Sequence, residues 1–245
     1  MTTPLGLIAE ISRYPVKSMV GVALESAFLG WYGLAGDRRF AFRRLGDRSG
    51  MPWLTASRLS ELVLYRPCGL DERAGEPLPT HVCTPSGAQP ELWSEDLRRE
   101  IAGRLGGDTE LMQARHGVFD EAAISVIATA TTAAVAREAG VAADSRRFRP
   151  NIVIACEGGE PFLEDGWIGG TLVFGEGDEG PAVRVTMRDE RCRMLTLDPD
   201  TAHAEPRVLK AAVRLNRNYA GVYATVVQTG TLCVGDPVRL APGSR

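Results

Sequence analysis

A single cysteine, Cys192, stands between Arg191 and Arg193, a few residues ahead of the turn-forming run Asp198-Pro199-Asp200-Thr201. A cation beside a thiol lowers its pKa and favours the reactive thiolate, so this is the candidate reactive centre. Upstream, Val183, Val185 and Met187 alternate with Arg184, Thr186 and Arg188, which predicts a strand with an apolar odd-numbered face. Carried forward unbroken, that register puts Cys192 on the polar face, whereas a packing cysteine belongs among the valines. A bulge at Asp189-Glu190 would flip it. The same register sends Arg191 and Arg193 to the opposite face and leaves Arg188, or an arginine from elsewhere, as the cation beside the thiol. An inert cysteine among solvated arginines is the competing reading.

Three further segments carry charge suited to an anion. Tyr14-Pro15-Val16-Lys17-Ser18 offers an ammonium and a hydroxyl in a loop after a strand, or simply a solvated turn. Lys17 stands out because only it and Lys210 are lysines among 28 basic residues. Asp37-Arg38 is either a surface ion pair or a carboxylate orienting a guanidinium toward a ligand. Pro150 forces Arg149 toward extended backbone, which aims its side chain and suits bidentate phosphate recognition.

The chain's 245 residues, net charge of −3 and mixed charge give no electrostatic case for a nucleic-acid binder, and no apolar run approaches a membrane span. A soluble, cytoplasmic protein is expected. Its five cysteines are scattered and never in a Cys-x-x-Cys pair, which argues against a disulfide framework, a zinc site or a protein-borne iron–sulfur cluster.

The elements that must position these groups are mostly short strands. They are expected at 5–13, 22–29, from Asp37 to Phe42, at 53–55, 61–65, 81–84, 111–113, 124–127 and 152–155, then in the strand leading to Cys192. A hairpin is expected to join 223–228 to 232–240 through Thr229-Gly230. Ser94 caps a helix that buries Leu97, Ile101 and Leu105 and stops at Gly106. Thr129–Thr132 open a second helix stopped by Gly140, and Pro206–Leu215 form a third. This pattern predicts an α+β, β-rich, barrel-like fold in two parts, 1–117 and 118–245.

Taken in order, Tyr14–Ser18, Gly36-Asp37-Arg38, Arg147-Phe148-Arg149-Pro150-Asn151-Ile152-Val153, Arg191-Cys192, Asp198–Thr201 and Val234-Gly235-Asp236-Pro237-Val238 resemble the MOSC family, named for the C-terminal domain of molybdenum cofactor sulfurases. Within it the chain is most similar to two-part members with an N-terminal β-barrel segment, the amidoxime-reducing component proteins. The resemblance implies a MOSC-type β-barrel with an N-terminal β-barrel or sheet segment and a few peripheral helices. It implies molybdenum cofactor (Mo-molybdopterin) as the bound group, with Cys192 as the molybdenum ligand. Lys17, Ser18, Arg38, Arg149, Asn151, Arg191 and Tyr223 become cofactor contacts, with Asp120 and Thr131 as further positions. Ala202 replaces the glycine usual in the family, and Glu190 stands where relatives often have a smaller residue; both bear on substrate approach. The implied activity is reduction of N-hydroxylated or N-oxide small molecules, with electrons from a separate reductase or ferredoxin-like partner. Sulfur transfer through a Cys192 persulfide and non-catalytic carriage of the cofactor are the alternatives.

Overall fold

In the computed structural model, residues 2–71, 75–177 and 179–243 are described. The strands are β1 (Thr3–Arg13), β2 (Val22–Leu24), β3 (Ser26–Gly30), β4 (Gly33–Leu34), β5 (Phe40–Arg44), β6 (Arg66–Cys68), β7 (His81–Cys83), β8 (Thr109–Gln113), β9 (Ile124–Ala128), β10 (Ile152–Cys156), β11 (Thr171–Phe174), β12 (Ala182–Glu190), β13 (Tyr219–Gln228), β14 (Gly230–Cys233) and β15 (Pro237–Ala241). The helices are α1 (Glu95–Leu105), α2 (Thr129–Ala139) and α3 (Pro206–Asn216).

Seven strands close a barrel in the order β10-β9-β13-β12-β11-β15-β1, with β1 pairing back onto β10. Closure leaves these strands few free edges and confirms the β-rich, MOSC-type α+β reading. β1 makes closure possible by pairing with β15 at its start and with β10 along its middle. Gly6 lies where the two ladders overlap, and a Cβ there would fall 1.9 Å from the Ala155 carbonyl oxygen. Ile8, Ile11, Val126, Ile154, Phe174, Val183, Val185 and Val222 fill the interior. Each such side chain contributes roughly 1.5–3 kcal/mol by leaving water. The first residues of the chain thus belong to the same barrel as residues after 118.

A second core forms beside the barrel from Met19, Phe40, Phe42, Leu54, Tyr65, Val82, Leu92, Leu97 and Ile101. β5 pairs with β8, and β6 with β7, around it. α1 begins as the sequence indicates: Ser94 Oγ accepts from Leu97 N at 3.3 Å, and Gly106 adopts a left-handed C-cap. α2 and α3 pack on the barrel through Val135, Ala139, Val208 and Ala211.

Three local expectations are corrected. Residues 60–64 form a 3-10 helix, not a strand, because Leu62 and Val63 turn inward together, which a period of two cannot do. The expected strand at 22–29 is two strands in two sheets, β2 against β1 and β3 against β14. The C-terminal hairpin does not form; β14 crosses to β3, and β15 returns to β1 and β11.

Candidate functional site

Where the second core meets one end of the barrel, the loops after β1, before β5, before β10 and after β12 line a cleft of about 330 Å³. It gathers Lys17, Ser18, Arg38, Asp120, Arg149, Arg191, Cys192 and Tyr223, eight of the residues singled out from sequence. Ser18, Arg38 and Arg149 hold φ of 67°, 49° and 55°, a left-handed backbone that non-glycine residues adopt at a cost; for Arg149 this corrects the extended backbone expected before Pro150.

Each cation is fixed by specific partners. Lys17 is 5% exposed, and its Nζ donates to Asp120 Oδ1 at 2.6 Å and to the Val118 carbonyl at 3.2 Å. Burial holds its pKa below the usual lysine value, against the opposing pull of Asp120. Burial works to raise the Asp120 carboxyl, and the Lys17 charge and hydrogen bond more than reverse it. Arg38 is clamped by Asp37, by Asn151 Oδ1 at 3.2 Å and by the Arg149 carbonyl at 3.3 Å. Burial opposes its charge, but Asp37 outweighs this and raises its pKa. Asp37 also accepts the Tyr14 amide at 2.6 Å, so the carboxylate ties loop to guanidinium. The Tyr14 ring lies against both Arg38 and Arg149, at 4.9 and 4.2 Å.

Arg149 differs from the others. Its Nη1 donates to the Met19 carbonyl at 2.7 Å, yet it forms no ion pair with a described residue. Burial lowers its pKa to about 10, still charged at neutral pH. A largely buried guanidinium without an ion pair among the described residues carries a desolvation cost. Arg191 pairs with buried Asp189 and donates to the Phe148 carbonyl at 2.5 Å, while its Nε has no hydrogen-bond partner among the described residues.

Cys192 is exposed at the mouth of this cleft. The expectation of an exposed thiol holds, but the register behind it does not. β12 pairs with shifts at Ala182/Val183, Val185/Met187 and Arg188/Glu190; Met187 turns outward against the alternation, Asp189 keeps its inward odd-numbered place, and the strand ends at Glu190. Cys192 caps the 3-10 turn Arg193–Thr196 instead. Arg191, expected on the far face, therefore lines the cleft with the thiol. Arg188 stacks on Tyr219 at 3.9 Å and lines a more open hollow on the other side of Cys192.

Two expected contacts lie elsewhere. Asn151 is 1% exposed and sits behind the cleft, accepting from Arg38 and Ser125 N and donating to Ser12 O and Asp37. With its side chain fully used, it positions Arg38. Thr131 is fully buried in α2, where it donates to Glu164 at 2.9 Å and accepts from Phe162 N at 2.7 Å. It does not reach the cleft. Asp198–Thr201 is also structural: Asp198 Oδ1 accepts from Asp200 N and Thr201 N, and its Oδ2 accepts from Arg147. Ala202 follows with φ 59°, the conformation that explains a glycine preference there, and it packs into the second core, away from the substrate approach. Glu190 does line the cleft. Sequence reading missed Tyr14, Ser125, Phe148 and Asp189; the one available signal was Asp189, a charged residue at an inward position of an apolar register.

Tyr223 faces the cleft from β13. Burial, then the Asp189 charge, raise its pKa, so the phenol stays protonated.

The fold is thus a closed seven-stranded barrel with a cation-lined cleft and an exposed thiol at one end. The MOSC domain profile matches residues 113–239, more than half of the chain, which belongs to the MOSC family of molybdenum-cofactor-binding and sulfurase-like proteins. The solved structure of the YUAD protein from Bacillus subtilis is similar over 100% of both chains, with 15% identity and a TM-score of 0.54, a likeness of fold. The structure of YiiM from Escherichia coli matches 100% of this chain and 71% of its own at 13% identity and a TM-score of 0.43. No curated protein matches the chain. Among the described residues no helix is long and apolar enough to cross a membrane.

Proposed function

We propose that the chain is a molybdenum-cofactor-dependent oxidoreductase acting on N-hydroxylated or N-oxide compounds. The observation that carries this reading is an exposed thiol in the same cleft as a largely buried guanidinium, Arg149, that has no ion pair among the described residues. Thiolate is a soft ligand suited to molybdenum, and the surrounding cations suit a pterin phosphate, so the residues fit the group. Cys192 would hold the metal. Lys17, Ser18, Arg38, Arg149 and Arg191 would hold the phosphate and pterin, with Tyr223 donating a hydrogen bond. When bound, the cofactor supplies two-electron chemistry at an oxygen-bearing nitrogen, with electrons from a separate donor protein.

The chain's own contribution is positional and electrostatic. Asp37 and Asn151 fix Arg38, Asp189 fixes Arg191, and Asp120 fixes Lys17, so charge is preorganised rather than recruited. Three or four charge-assisted bonds of roughly 1.5–3 kcal/mol each are enough to retain an anionic cofactor. Glu190 at the cleft wall bears on which substrates approach the thiol side.

The test is metal analysis of wild type and Cys192→Ala expressed in a host that makes the cofactor. Stoichiometric molybdenum in wild type, lost in the variant, with turnover of hydroxylamines or amidoximes, supports the reading. The exposure of Cys192 to the open hollow also suits a persulfide carrier. Absence of molybdenum from both proteins, together with a persulfide on Cys192, would select sulfur transfer instead.

A further inference from the structure

Far from Cys192 in sequence, two other cysteines meet. Cys68 ends β6 and Cys83 ends β7, and their sulfurs lie 3.0 Å apart. In the register Arg66 faces Cys83, Pro67 faces Val82 and Cys68 faces His81. Pro67 and Val82 are buried, and Val82 is part of the second core; the alternate positions, Arg66, Cys68, His81 and Cys83, share the outward face. Neither cysteine is a core filler, which would have occupied the Val82 position. Both are partly exposed and reduced. Cross-strand diagonal neighbours normally keep their side chains several ångströms apart, so contact between sulfurs is a specific outcome of this ladder.

We propose that Cys68 and Cys83 form a redox modification site that is oxidised to an intramolecular disulfide by low-molecular-weight disulfides. The sulfurs need close by only about 1 Å to reach bonding distance. The Cys83 sulfur, as thiolate, attacks one sulfur of the reagent, forming a mixed disulfide and expelling one thiolate, which takes up the proton that Cys83 gave up. Cys68 then loses its proton and attacks the Cys83 sulfur, expelling the second reagent thiol. Two protein thiols are oxidised and one reagent disulfide is reduced to two thiols. Burial first and its Cys83 neighbour second push the Cys68 pKa up to about 11, so Cys68 is not the first nucleophile. The bond would tie β6 to β7 one step from the cleft: Tyr65, just before β6, accepts the Val20 amide at 3.0 Å, and Met19 beside it holds Arg149.

The test uses full-length protein carrying Cys192→Ser and Cys233→Ser, which removes both exposed thiols. It is incubated with glutathione disulfide and followed by intact mass, thiol titration under denaturing conditions and peptide mapping. The expected result is loss of two hydrogen atoms, loss of two titratable thiols, a cross-linked peptide joining Cys68 to Cys83, and slower hydrogen exchange at the Val20 amide. With Cys68→Ser added, the reaction should stop at a stable mixed disulfide on Cys83. Retention of all thiols, a mixed disulfide that persists while both cysteines are present, or unchanged Val20 exchange in a cross-linked sample would overturn the proposal.

Discussion

Replacing Arg149 with methionine separates the two jobs that a buried cation can have. In the folded chain burial lowers the guanidinium pKa from its ordinary value to about 10. That drop corresponds to a folding penalty of about 3 kcal/mol on the charged form at neutral pH. Methionine removes the penalty, keeps an apolar stem against Tyr14, and forfeits the bond to the Met19 carbonyl, a loss of about 1.5–3 kcal/mol. The two effects offset, so Arg149→Met should change the stability of ligand-free protein by less than about 2 kcal/mol. Anion binding should respond differently. Losing two charge-assisted bonds to a phosphate costs about 3 kcal/mol or more, about a hundredfold in affinity. The assay is urea unfolding with and without inorganic phosphate at a concentration about 100 times the wild-type Kd, where wild type gains about 2.7 kcal/mol and the variant only about 0.4 kcal/mol. A variant that unfolds more than about 4 kcal/mol more easily without phosphate would make Arg149 a structural ion. Full retention of the phosphate effect would show that the cleft is not the anion site.

Further expectations follow from the same partners. Phosphate-dependent stabilisation should fade as pH rises toward about 10, where Arg149 discharges and Lys17, also lowered, has begun to. The intrinsic sign is opposite: a base whose folded pKa lies below its unfolded value makes the ligand-free fold more stable as pH passes through that window, so unfolding curves with and without phosphate should converge. Asn151→Leu strands Ser12 O, Ser125 N, Asp37 and Arg38, and should cost about 3 kcal/mol in unfolding free energy along with weakened phosphate binding. Thr131→Val should cost about 1–3 kcal/mol by depriving buried Glu164 of a donor, with phosphate affinity and molybdenum content unchanged; a loss of either would return Thr131 to the site.

Much of this cleft was legible because its residue types are unusual where they occur. Lys17 is one of two lysines, and Arg149 precedes a proline; such features mark local constraint before any fold is known. The fold class was legible for a similar reason, since short alternating runs leave few architectures. The true position of Arg191 was not, because alternation assumes an even ladder and β12 shifts register at three places. Thr131 was misplaced because a threonine in the first turn of a helix looks the same whether it serves a ligand or a buried carboxylate. Only the arrival of Glu164 from a distant segment decides between them. The C-terminal hairpin failed on the same ground: Thr229-Gly230 signals a turn but says nothing about which strand waits beyond it.

The positions of the cleft residues show why the site falls at a barrel end. Ser18 follows β1, Arg38 precedes β5, Arg149 precedes β10 and Cys192 follows β12, so all lie just outside a ladder, where the backbone is free of sheet geometry. Three of the four adopt positive φ, at a cost of about 1–3 kcal/mol each. Glycine would relieve that strain at each position, yet it would remove the very side chain that the cleft presents. The strain is held by cross-bracing rather than by local preference: the Arg38 amide bonds to the Tyr14 carbonyl at 2.7 Å, the Lys17 amide to the Phe40 carbonyl at 2.8 Å, and the Arg149 side chain to the Met19 carbonyl. Each brace joins two different strand ends. A cleft assembled this way is rigid only while the barrel and the second core stay docked, which ties the placement of Arg149 to the packing of Met19.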